Sequence, residues 1–209
     1  MSFDASPQAP APEPVAVPGA TPAPSRTAGW GKAIRELIET LALTLVIFLL
    51  VRFAAPNFRI EGFSMEPNFH DGQYLFVNRL IYMLHPPERG DVIVLVPPTS
   101  TSRDYIKRVI GLPGERVEIV SGRVLIGGQE LQEPYPLNPG TYSFGPVTVG
   151  SDEYLVLGDN RDNSSDSHSW GMLSAKEIIG KAWITYWPLD LIGWVPSYSY
   201  TTPPGIKTP

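Results

Sequence analysis

Cysteine is absent from the 209 residues. That excludes a disulfide framework, thiolate zinc sites, a cysteine nucleophile and a lipid-anchored cysteine. Histidine is scarce, with three residues at 70, 85 and 168, too scattered for a helical zinc motif of the H-E-x-x-H kind. Bases are outnumbered, 16 Lys+Arg against 21 Asp+Glu for a net charge of −5, which argues against nucleic acid as a partner. No serine is followed by the S-x-x-K spacing. The G-x-S-x-G elbow fails at Gly62-Phe63-Ser64-Met65-Glu66, where glutamate takes the second glycine's place. The run Asp162-x-Ser164-x-Asp166 has Ser167 and Leu173 where a calcium loop needs its turn glycine and bidentate glutamate.

What the chain has in excess is proline, 23 residues beside 19 glycines, a load that an all-helical fold would not tolerate if it were evenly spread. Seven prolines fall in the first 24 residues, interleaved with alanine. Residues 1–31 therefore read as an extended, disordered tail with too little apolar surface to offset the entropy of ordering. Residues 32–56 form a hydrophobic segment, and the 19 residues from Leu37 to Ala55 approach the ~20 that span a bilayer. Glu39 and Arg52 stand near its ends, where polar heads reach an interface. A buried soluble helix and a cleavable signal peptide are the other readings of such a run. A single uncleaved anchor fits better, because a signal peptide would not follow some 30 residues of tail. Arg26, Lys32 and Arg35 before it, against Arg52 and Arg59 after it, favour a cytoplasmic N-terminus and an extracytoplasmic C-terminal domain.

From Phe58 the pattern changes to short, alternating, β-branched runs. Residues 74–78, 91–96, 116–120, 123–126 and 153–157 read as strands, with hairpins turning at Ser121-Gly122 and Gly127-Gly128. Residues 174–180 read as a short helix, with Ser174 and Glu177 spaced as a capping box. The fold class is thus mainly β, with antiparallel sheets in a domain over 57–195 and a loosely ordered tail over 196–209.

Two residues stand in distinctive surroundings. Ser64 lies in Ile60-Glu-Gly-Phe-Ser-Met-Glu-Pro67, nine residues beyond Ala55 and so within ~30 Å of the end of the anchor even on a fully extended chain. Lys107 is flanked by Ile106, Val109 and Ile110; on a strand, Lys107 and Val109 face one way and Ile106 and Arg108 the other. A serine hydroxyl needs a base to become a nucleophile, and a lysine amine serves if desolvation lowers its pKa, at a cost of about 3–4 kcal/mol. By themselves, however, a serine and a lysine 43 residues apart also fit a turn and a surface.

The loop Gly158-Asp-Asn-Arg-Asp-Asn-Ser164-Ser-Asp166-Ser-His168-Ser-Trp170-Gly171 supplies the missing context. Ser-Met-x-Pro, Arg-Gly-Asp-Val, Tyr-Ile-Lys-Arg-Val-Ile-Gly-Leu-Pro-Gly and Gly-Asp-Asn-Arg-Asp-Asn-Ser-x-Asp-Ser follow one hydrophobic span in that order. From Leu37 to Trp187 the chain resembles bacterial type I signal peptidase. The resemblance implies a membrane-anchored serine endopeptidase, monomeric and needing no metal or cofactor. Its partners would be membrane lipid and preproteins, from which it removes signal peptides outside the cytoplasmic membrane. It implies Ser64 as nucleophile, Lys107 as general base, Ser164 hydrogen-bonded to the lysine amine, and Asp166 bracing the loop. The Ser64 N–H would be an oxyanion donor. Ile60 and Ile106 would wall shallow pockets for small substrate residues at −1 and −3.

Two positions depart from the family pattern. Gly62 stands where some members carry a serine whose hydroxyl helps fill the oxyanion hole, so a second donor has to come from water or another backbone N–H. His168 stands where an arginine would pair with Asp166 at every pH. The rival readings are a self-cleaving repressor, which expects a DNA-binding module upstream, and a membrane-tethered β module that binds without catalysis.

Overall fold

In the computed structural model, residues 26–99, 103–198 and 200 are described. Residues 1–25 of the tail expected over 1–31 therefore lie outside the described residues. Helix α1 runs Arg26–Ala54, so it starts six residues before the expected 32 and stops two short of 56. Gly29 and Gly31 lie within its first turns. Each costs about 1 kcal/mol relative to alanine, which a long helix already nucleated downstream can absorb. The stretch Trp30–Ala54 is long and apolar enough to cross a membrane, and its side chains from Trp30 to Phe53 are all exposed.

Among the described residues beyond α1 there are twelve strands. They are β1 (Asn57–Arg59), β2 (Tyr74–Asn78), β3 (Val92–Leu95), β4 (Tyr105–Gly111), β5 (Arg116–Val120) and β6 (Arg123–Ile126). After these come β7 (Gln129–Glu130), β8 (Phe144–Thr148), β9 (Glu153–Leu157), β10 (Leu173–Ser174), β11 (Ile178–Trp187) and β12 (Gly193–Trp194). The larger sheet has the order β1-β2-β11-β3-β4-β9-β10, with β12 added on β11, and the smaller one the order β7-β6-β5-β8. Every pairing between these strands is antiparallel. The fold is therefore mainly β, as the alternation implies. Both expected hairpins form, and in the first the turn residues Ser121 (φ 48°) and Gly122 (φ 79°) take the left-handed conformations a two-residue hairpin turn needs.

The helix expected over 174–180 does not form. Ser174 belongs to β10 and makes no side-chain cap bond, and the Ser-x-x-Glu pattern yields one 3₁₀ turn over Ala175–Glu177. Ile178 then opens β11, a ten-residue strand lying between β2 and β3. Its period-two alternation is hidden by irregularities at Ile178/Gly180, Ala182/Ile184 and Thr185/Trp187. Each such break puts successive side chains out of step with the sheet face. Within the tail expected over 196–209, Tyr198 and Tyr200 pack on the cluster around Ile110, Val117 and Leu155, and residues 199 and 201–209 lie outside the described residues.

The two faces of β3 and β4 carry separate cores. Val92 and Val94 pack with Ile60, Met65, Leu75 and Val77, and Ile106 lies against them. Ile93 and Leu95 pack with Val109, Tyr154 and Val156 on the other face. β4 is thus fixed in register by apolar contacts on both sides, and a slip of one residue would bring polar groups into each core.

Candidate active site

Ser64 sits in a chain of tight turns between β1 and β2. The Glu66 N–H donates to the Phe63 carbonyl, and the Asn68 and Phe69 N–H groups donate to Met65. Met65 and Phe69 anchor these turns in the core, exposed by only 1% and 4%. Gly62 enters the turns with φ at +93°, where a side chain would be strained, and its N–H donates to Asp71 Oδ1 at 2.8 Å. That bond occupies the Gly62 N–H, whereas the Ser64 N–H has no acceptor among the described residues.

β4 brings Lys107 to this turn. Its Nζ lies 2.8 Å from Ser64 Oγ and donates to the Ile106 carbonyl at 2.8 Å. Only 3% of Lys107 is exposed. Burial pushes the amine from its ordinary 10.5 down to about 8, with Asp166 and Asp159 pulling weakly the other way. A substantial fraction of this lysine is therefore neutral near physiological pH, and a neutral amine at that distance can accept the hydroxyl proton. Ser64, Lys107, Ile60 and Ile106 all line one cleft of about 560 Å³, with Val94 and Leu75 among its apolar walls.

The loop after β9 packs against the same turn. Asp166 is fully buried, accepts from the Gly158 N–H at 2.8 Å, and caps the short helix α2 (Ser167–Trp170) reciprocally with Ser169. His168 Nδ1 lies 2.7 Å from Asp166 Oδ1, and its ring stacks on Tyr142 at 4.2 Å between centroids. The structure does not form the expected bond from Ser164 to Lys107. Ser164 Oγ is buried without a partner among the described residues, and the lysine donates to its own strand's Ile106 carbonyl.

Several residues of this neighbourhood escaped the sequence reading. Arg108, next to Lys107, forms a buried two-bond ion pair with Asp159 at 2.8 and 2.6 Å and lies 4.0 Å over the Tyr135 ring. Asn68 donates to Asp159 at 2.8 Å, and Arg161 pairs with Glu133. Asn160 donates from its backbone to the Ser64 carbonyl at 3.0 Å and from its side chain to the Phe63 carbonyl at 3.1 Å. The available signal was the alternation itself: if Lys107 faces one side of a strand, Arg108 faces the other and needs a buried acid.

The His168 pair has a consequence for stability. The hydrogen bond to Asp166 raises the imidazole above its ordinary value of 6.5, with burial opposing and the Asp166 and Asp162 charges adding to the rise. A group whose pKa is raised on folding stabilises fully below the unfolded value and loses that contribution as pH climbs through the folded one. His168→Arg is therefore expected to remove this part of the decline in Tm above pH 6.5 and to keep cleavage intact above pH 7. Identical Tm–pH curves for the two proteins would contradict a stabilising ion pair at this position.

Comparison with known proteins identifies the family. The family described as signal peptidase, peptidase S26, matches residues 34–187. A signal peptidase I of Leptolyngbya laminosa is 42% identical over 184 residues, covering 84% of this chain and 90% of its own length. A probable signal peptidase I-2 of Synechocystis sp. is 38% identical over 164 residues, with 76% and 75% covered. Signal peptidase I of Bacillus amyloliquefaciens is 38% identical over 170 residues, with 76% and 84% covered. Since the family match runs from within α1 to the last residue of β11 and takes in Ser64, Lys107 and the whole loop after β9, this chain belongs to the type I signal peptidases, serine peptidases of the S26 family.

Proposed function

We propose that the chain is a membrane-bound endopeptidase that cuts signal peptides from exported preproteins by a Ser64–Lys107 dyad. The observation that carries this reading is the 2.8 Å approach of a desolvated amine to a cleft-lining hydroxyl. Neutral Lys107 takes the Ser64 proton as Oγ attacks the scissile carbonyl, and the oxyanion forms against the Ser64 N–H. The resulting ammonium then protonates the leaving amine. Water, deprotonated by the same lysine, next releases the acylated signal peptide and regenerates Ser64. Asp166 holds the loop through Gly158 and His168, and the orphan hydroxyl of Ser164 is an acceptor for the second amine hydrogen once a substrate settles the loop. Ile60 and Ile106 would limit the −1 and −3 side chains to small ones.

Membrane attachment rests on α1 and on an apolar rim of the larger sheet, where Trp187, Leu189, Ile192 and Trp194 are all at least half exposed. Exposed large apolar side chains clustered this closely in sequence suit a surface that meets lipid or a partner. Arg26, Lys32 and Arg35, in the first turns of α1 ahead of its uncharged stretch, favour an inside N-terminus and an outside peptidase domain.

The full chain in detergent micelles, given a preprotein, is expected to release the mature N-terminus. Below about pH 8 the rate should rise nearly tenfold per pH unit as Lys107 loses its proton, and above that it should level off. A rate that is flat between pH 6 and 9 would remove Lys107 from the role of base.

A further inference from the structure

The turn that carries Ser64 is gripped by one residue of the loop after β9. Asn160 reaches both carbonyls that flank Ser64: its backbone N–H donates to the Ser64 oxygen at 3.0 Å and its Nδ2 to the Phe63 oxygen at 3.1 Å. The Phe63 oxygen is the far end of the peptide unit whose N–H belongs to Ser64. Resonance keeps that unit planar and links its two ends electronically. A donor placed on the oxygen therefore fixes the direction of the N–H and makes it a stronger donor, since hydrogen bonds in a chain polarise one another. The Ser64 N–H is the end left without an acceptor, while the neighbouring Gly62 N–H is committed to Asp71. With glycine at 62 there is no side chain to help, so the stabilisation of an oxyanion falls heavily on this one peptide.

We propose that Asn160 is a positioning residue for the reaction, aiming and polarising the Phe63–Ser64 peptide through the Phe63 carbonyl. The inference rests on the reading of Ser64 as nucleophile and its N–H as oxyanion donor. The Glu66 N–H also bonds the Phe63 oxygen, at 3.2 Å, so loss of Asn160 loosens the peptide without releasing it. Asn160 itself is held by a bridge between its backbone and Asn138, which leaves the side chain free to be changed while the loop keeps its course.

The test uses the detergent-solubilised full chain with Asn160→Ala and Asn160→Leu, both of which keep the backbone bond to Ser64. Removing a whole oxyanion donor costs ~10²–10³-fold, and a loosened one should cost about tenfold. The expected result is a fall in kcat of about tenfold with KM within about threefold and Tm unchanged, because the contact matters only when charge develops. A kcat within threefold of wild type in either folded variant overturns the inference, as does a rise in KM that accounts for the loss. Failure of both variants to fold also overturns it, by making Asn160 a purely structural residue. Ser64→Ala separates the two layers. If Ser64→Ala retains cleavage, the dyad reading itself fails. If it is inactive while Asn160→Ala behaves like wild type, only the role of Asn160 is lost.

Discussion

Lys107→Met is expected to abolish preprotein cleavage while making the protein more stable at pH 7. The two effects come from the same burial. At 3% exposure the ammonium form has lost its water, and the fall from 10.5 to about 8 records that loss. Such a difference is worth about 3 kcal/mol. The sign follows from proton counting. Between about pH 8 and 10.5 the unfolded chain binds one more proton at this site than the folded chain, so wild-type stability rises across that window. Below it the folded protein carries the full cost of a desolvated ammonium. Methionine matches the lysine stem in length and has no charge to desolvate, so the variant should gain up to about 3 kcal/mol at pH 7 and lose the rise between pH 8 and 10.5. Cleavage should drop by ~10³-fold or more, since general-base assistance alone contributes ~10²–10⁴-fold. Urea unfolding at pH 7 and pH 10, alongside the cleavage assay, measures both. A variant that is inactive and also less stable at pH 7 would mean that the buried amine is satisfied rather than strained.

Gly158→Ala should be nearly as damaging to cleavage, for steric reasons. A β-carbon at 158 would stand 2.4 Å from the Ser64 carbonyl oxygen and 2.3 Å from Ser164 Oγ. A serine hydroxyl can rotate away, but a backbone carbonyl cannot move without carrying the Ser64 turn with it. Overpacking of this kind costs about 1–3 kcal/mol, and displacing a reacting group by ~1 Å can cost 10²-fold in rate. The expected outcome is a loss of about 10²-fold in kcat with a Tm lowered by several degrees. A variant cleaving at the wild-type rate would show that the turn and the loop are not in firm contact.

The fold was legible where the chain alternates without interruption. β2, β5, β6 and β9 fall where period two places them, and the glycine-bearing turns between β5, β6 and β7 specify their own geometry. β11 was not legible, because three breaks in its register conceal the alternation and because Ser174-Ala-Lys-Glu177 imitates a helix start. A local pattern worth a few tenths to one kcal/mol lost to a strand position with partners on both sides. At the site, the family motifs located Ser64, Lys107 and the loop from Gly158, and the structure brings these together. The unpartnered state of Ser164 Oγ could not be read, because whether a hydroxyl lies within reach of an amine depends on distances that sequence does not encode. The grip of Asn160 was equally hidden, since it depends on two backbone carbonyls, and every residue has one.

Positions 107 and 108 hold two basic side chains side by side, one 2.8 Å from a serine and the other paired with Asp159. Lys107→Arg combined with Arg108→Lys would leave amino-acid composition, length and the net charge of −5 untouched. It would nonetheless place a guanidinium that never gives up its proton beside Ser64, and a single-point ammonium opposite a carboxylate shaped for a fork. On the proposed dyad, cleavage depends on the order of two adjacent letters, and any inventory that counts residues without ordering them is blind to it.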